Sequence, residues 1–261
     1  MPPARISILA ALAAFGVSCR SGPPPAIDPA LAASVPAGAT IMAGVNLDRV
    51  RASPLHRQLP PAALAFLESL SGARSVLVAS DGNNYLLLTR GDFRQAPSGT
   101  TLLGQGLAAV GSADWLRAAA SQRAHGAIGA NGLLIRAEPI AAAADIWIAA
   151  AGSANLPVSG NGENLNRLLH QTEYATLTVR LTDNLAIDVM GVCRGPEAAL
   201  HLEETVRAIV TLGAAGTARQ PAVSGLLRHI RVTRDGRAVH LTLATQAAEL
   251  ETVFRLLGIG S

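Results

Sequence analysis

Few side chains in this sequence have the type and spacing to do chemistry, and the densest group lies near the C-terminus. His229, Arg231, Arg237 and His240 fall on or beside two alternating runs, His229–Thr233 and Arg237–Leu243, joined by Asp235-Gly236. Period two puts His229, Arg231 and His240 on one face of the predicted hairpin, with Thr242 beside His240. Cations and imidazoles on one solvated sheet face read as an anion or partner surface, suited to lipid headgroups or an acidic protein. The other histidines, His56, His125, His170 and His201, form no pair at metal-ligand spacing, and no cysteine pair completes a zinc site, so no metal and no cofactor is expected. His201 and Glu204 share a helical face, but two groups do not make a site. Gly104-Gln105-Gly106-Leu107-Ala108-Ala109 matches a G-x-G-x-x-A pattern. The helix-start signal there is Ser112, so no helix N-terminus would meet a pyrophosphate. Ser159-Gly160 and Ser224-Gly225 lack the glycine that a nucleophile elbow needs two residues earlier. No catalytic residue emerges. Cys193 alternates with Leu185, Ile187 and Val189 and is expected to be a buried thiol that packs as a small hydrophobe.

The N-terminus carries a different chemistry. Arg5 precedes an apolar run of 12 residues, Ile6–Val17, and Gly16-Val17-Ser18 places small residues before Cys19. The run is well short of the roughly 18–20 residues that span hydrocarbon, so residues 1–18 read as a cleaved signal peptide. At Val17-Ser18-Cys19 the chain resembles bacterial lipoproteins, with Gly16 standing where that family usually has Leu. The resemblance covers residues 1–19 and implies lipidation of Cys19, hence a membrane partner through that lipid. Arg20-Ser21-Gly22-Pro23-Pro24-Pro25 begins a polar, Pro-rich tether, placed over residues 19–37. The expected location is outside the cytoplasm, on the periplasmic side of the envelope.

Composition narrows the partners. All 21 basic residues are Arg, the net charge is only +3, and aromatics make up 3 %, which argues against a nucleic-acid binder. Those few aromatics include Trp115 and Trp147, each inside an apolar pattern and so expected in the core.

The elements that must position these residues follow one theme, a hairpin followed by a helix. Tyr174–Thr182 and Leu185–Cys193 flank Asp183-Asn184, and Pro196 then opens a helix with the stripe Ala199, Leu202, Val206 and Ile209. After the last hairpin, Thr245 is expected to cap a helix carrying Leu250, Val253, Phe254 and Leu257. In the first half, strand Ala39–Val45 precedes helix Pro61–Leu70, and Ser75–Ala79 with Tyr85–Thr89 surrounds Asp81-Gly82-Asn83-Asn84. Short strands Thr101–Leu103 and Leu107–Val110 lead into a helix behind Ser112. Asp145–Ala150 is a further strand and Leu165–His170 a short helix.

The expected fold is therefore α+β: repeated ββα units, an antiparallel sheet packed against helices, and two related halves at 38–123 and 133–258. Ala124–Gly132 reads as their junction. The functional expectation is an exported, lipid-anchored envelope protein with a non-catalytic binding or scaffolding role, with an envelope protein as partner. The alternative is a periplasmic module that takes a small ligand or peptide in a cleft between the halves. An envelope hydrolase with a dispersed site ranks third.

Overall fold

The computed structural model describes residues 26–93, 95–96, 99–124, 131–156, 162–246 and 249. The first element is a single turn, α1 (Pro29–Ala32), where the Asp28 carboxylate accepts from the Ala30 and Leu31 N–H groups and Pro29 needs no acceptor. Ile27, Leu31 and Val35 are buried. The segment expected as a tether through residue 37 thus belongs to the core from Ile27 onward, because its aliphatic residues find a sheet to cover.

Strand β1 (Ile41–Asn46) leads through α2 (Leu47–Ala52), a 3-10 turn (His56–Gln58) and α3 (Pro61–Ser69) to the hairpin β2 (Ala73–Ser80) and β3 (Tyr85–Gly91). A second hairpin, β4 (Thr101–Gly104) and β5 (Leu107–Gly111), precedes α4 (Ala113–Ala124) and α5 (Gly132–Ala143). The second half runs β6 (Ile146–Ala151), α6 (Gly162–Leu169), β7 (Thr172–Leu181), β8 (Asn184–Cys193), α7 (Pro196–Gly216), α8 (Pro221–Arg228), β9 (Arg231–Asp235) and β10 (Ala238–Gln246). α5 and α8 lie where no helix was read from the sequence. Thr245, expected to cap a helix, is still in β10 and buried. Leu250, Val253, Phe254 and Leu257 lie outside the described residues, as do Cys19 and His125.

The ten strands among the described residues form one antiparallel sheet in the order β4-β5-β3-β2-β1-β6-β7-β8-β10-β9. Outward from the central β1/β6 pair, the order is β1-β2-β3-β5-β4 on one side and β6-β7-β8-β10-β9 on the other. The α+β expectation is met by this mixture of helices and one large antiparallel sheet.

Strand alternation divides the core between two faces. On one face, Met42, Leu77, Leu88 and Trp147 pack against Leu31 of α1, Trp115 of α4 and Leu133 and Ala137 of α5. On the other, Val76, Leu181, Leu185 and Leu243 pack against Leu47 and Val50 of α2, Leu67 of α3 and Leu226 of α8. α6 and α7 also cover this second face, at the opposite ends of β6, β7, β8 and β10.

Candidate functional site

The last hairpin places the predicted anion-surface residues as follows. Arg231 stands opposite Thr242 and His240 opposite Thr233, so Arg231 and His240 share a sheet face. His229 does not join them: it ends α8 in a helical conformation and precedes the strand. Arg237 lies at the turn, where its Nη1 meets Glu173 Oε1 at 3.2 Å. His240 Nδ1 lies 3.9 Å from Asp188 Oδ1. Arg237 is thus paired with a carboxylate of β7, His240 lies near one of β8, and the four residues do not converge on one point.

Cys193 is fully buried beside Ala199, Leu202 and Val239. Burial raises its thiol pKa, and the nearby Glu173 charge raises it further, so the group stays protonated and packs. Gly104–Ala109 lies in the β4–β5 hairpin, with Gly106 at φ +67 in the turn, and strand β5 rather than a helix begins directly after Gly106. Among the described residues, no three His, Cys, Asp or Glu side chains are grouped to hold a metal ion.

What the structure does assemble is apolar. Between the sheet and helices α6 and α7 lies a cavity of about 390 Å³, within the usual ~300–1,000 Å³ of small-molecule sites. Its floor includes one row across the sheet, with Ile148 opposite Leu177, Leu177 opposite Val189, and Val189 opposite Leu241. The adjoining row is small: Ala150, Ala175 and Gly191 pair across β6, β7 and β8, which lowers the floor. Leu165, Leu168 and Leu169 of α6 form one wall. Leu202, Val206, Ile209 and Val210 of α7 form the other. Leu165 and Ile209 are each 48 % exposed and mark the mouth.

Local sequence explains the helices that flank it. Pro196 begins α7 without wasting an N–H, and the i, i+4, i+7 series Leu202, Val206, Ile209 turns one stripe toward the sheet. α6 concentrates Leu165, Leu168 and Leu169 on one side for the same reason. Its Asn166 is tied to the preceding segment, accepting from the Leu156 N–H at 2.8 Å and donating to the Leu156 carbonyl at 3.3 Å. Packing on either side of the cavity is separate: Cys193, Ala199, Leu202 and Val239 form one small cluster, and Ala150, Ala154 and Leu169 another. The floor row between them belongs to neither. Among the described residues, no ionisable side chain lines the cavity, and the Thr172 hydroxyl there donates to the Leu169 carbonyl. The arrangement can hold a hydrocarbon surface.

Two crystal structures of TP0453 are similar to this chain. Form III shares 9 % identity at a TM-score of 0.51, covering 87 % of this chain and 98 % of that one. Form I shares 10 % identity at a TM-score of 0.49, covering 88 % and 98 %. The likeness is one of fold. No family model and no curated protein matches the chain. No helix among the described residues is long and apolar enough to cross a membrane.

Proposed function

We propose that this protein is an exported, Cys19-lipidated envelope protein whose folded part binds an apolar ligand without catalysis. The observation that carries the reading is the cavity under α6 and α7. Ile148, Leu177, Val189 and Leu241 stand in a row that no packed cluster claims. Apolar surface left facing water forgoes on the order of 25 cal/mol per Å² of burial. Such a hollow is kept where an occupant covers it. The site lies inside the second half of the sheet, not in a cleft between halves.

The two halves are proposed to be related units of hairpins and helices, joined at β1 and β6. The common strand order outward from that pair supports this relation. Partner binding is the second reading, favoured by the face of β8, β10 and β9 that bears Met190 and His240, which no helix among the described residues covers. Both outer strands are poor templates for strand addition: β4 has four residues, and β9 carries Arg231, Arg234 and Asp235.

Fluorescence titration with the neutral probe N-phenyl-naphthylamine tests the reading. One saturable site per chain is expected, with affinity lowered at least about tenfold by Ala175→Leu or Val206→Phe, each of which fills the hollow. Absence of saturable binding, or filled variants that bind like the parent, would overturn it. Intact mass from the native host tests the anchor: a mature N-terminus other than acylated Cys19 removes it.

A further inference from the structure

The apolar cavity adjoins a second hollow whose rim is charged. Val210 of α7 lines both, and Leu241 on the cavity floor stands opposite Val232, which lines the second. This second hollow is an open groove of about 560 Å³ between α7, α8 and β9, with Ala214, Leu227 and Ile230 on its walls. Arg207 and Arg228 line it as well. Arg228 Nη2 donates to Ser224 Oγ at 3.1 Å and makes no ion pair among the described residues. Arg207 Nη2 meets Glu203 Oε1 at 2.6 Å, and the other oxygen of Glu203 takes Arg234 at 3.1 Å. Two guanidinium groups line the groove, and the only carboxylate paired with either among the described residues is Glu203, which it shares with Arg234, so this rim is net positive.

Resting on the apolar-ligand reading above, we infer that the ligand is an acyl chain with an anionic head. The chain lies in the cavity, and the head lies in the groove against Arg207 and Arg228. The chain gains by leaving water, in proportion to its apolar area. The head gains from planar guanidinium forks, which match the two oxygens of a carboxylate or phosphate. An uncharged amphiphile gains only the first term. Glu203 competes with the ligand head for Arg207, so it sets how much of that guanidinium is available.

The probes are dansylaminoundecanoic acid and its methyl ester, titrated into the full chain by fluorescence at low salt. The acid is expected to bind about tenfold tighter than the ester, the effect of one charge-assisted hydrogen bond. The double variant Arg207→Gln/Arg228→Gln should lose that preference by weakening the acid alone. Glu203→Gln, which releases Arg207, should tighten the acid and leave the ester unchanged, an outcome that a misfolded variant cannot produce. Equal binding of acid and ester by the parent chain overturns the inference, as does a double variant that keeps the preference. Failure of both probes to bind the parent overturns the apolar-ligand reading itself.

Discussion

Asp81 shows how one residue ties local chemistry to stability. Its Oδ1 accepts from the Asn83 and Asn84 N–H groups at 2.9 and 2.7 Å, and its Oδ2 from the Asn84 side chain at 3.1 Å. The hydrogen bonds from Asn84, then that from Asn83, hold its carboxyl below the ordinary 3.8. A carboxyl depressed on folding contributes stability above its unfolded pKa and loses it as pH falls through the folded one. Asp81→Asn should therefore lower Tm at neutral pH and flatten the fall in Tm between about pH 5 and pH 3; thermal melts across that range check it. Cys193 behaves oppositely, since burial favours its neutral thiol. In a Cys19→Ser background it should resist thiol reagents in native buffer and react fully in denaturant, followed by mass spectrometry. Both roles were readable from spacing: Asp81 from its place in a turn, Cys193 from its alternation with Leu185, Ile187 and Val189. Gly44 was not readable. A Cβ there would lie 2.3 Å from the Trp147 ring, because β1 and β6 bring the two residues opposite. Gly44→Ala should cost about 1–3 kcal/mol in a denaturant melt, the usual penalty for overpacking against a rigid ring.

At the scale of elements, the hairpins were legible because turn chemistry and period-two alternation are local. Both C-terminal hairpins form, but each turn sits one residue away from the expected pair. Gly236-Arg237, with Gly236 at φ +54, joins β9 to β10, and Thr182-Asp183 joins β7 to β8, so Asp235 and Asn184 belong to strands. α5 was not legible: Pro139 lies inside it, and proline ordinarily argues against a helix interior. Tertiary packing of Leu133, Ala137 and Ala141 against the sheet outweighs that cost. Asn131 fixes where α5 begins. Its Oδ1 accepts from the Leu133 N–H at 2.9 Å, while its Nδ2 donates to the Ala39 carbonyl at 2.8 Å and the Ala37 carbonyl at 3.2 Å. Asn131→Ala removes a cap and takes the side-chain donor from the buried Ala39 carbonyl. A loss of about 2 kcal/mol is expected in chemical denaturation, larger than for a surface asparagine such as Asn83.

At the scale of the molecule, the decisive feature is where packing stops. Helices cover the first half of the sheet on both faces, whereas α6 and α7 stand away from the row Ile148, Leu177, Val189 and Leu241. If a ligand occupies that space, a saturating acyl probe should raise Tm by mass action, and Ala175→Leu should raise Tm without it and abolish the probe's effect. Differential scanning fluorimetry with and without probe separates the two. By itself the sequence determined the strand pairs joined by tight turns, the apolar stripe of α7 and the burial of Trp115, Trp147 and Cys193. Each depends on neighbours within a few turns of chain, where φ preference and periodicity act directly. Tertiary structure alone decided that ten strands join in one sheet and that Ala150, Ala175 and Gly191 line up as a low floor. It also set Arg207 and Arg228 beside a hollow lined by the same Val210. Those placements depend on inter-strand register and helix docking, which arise from contacts between residues far apart in sequence.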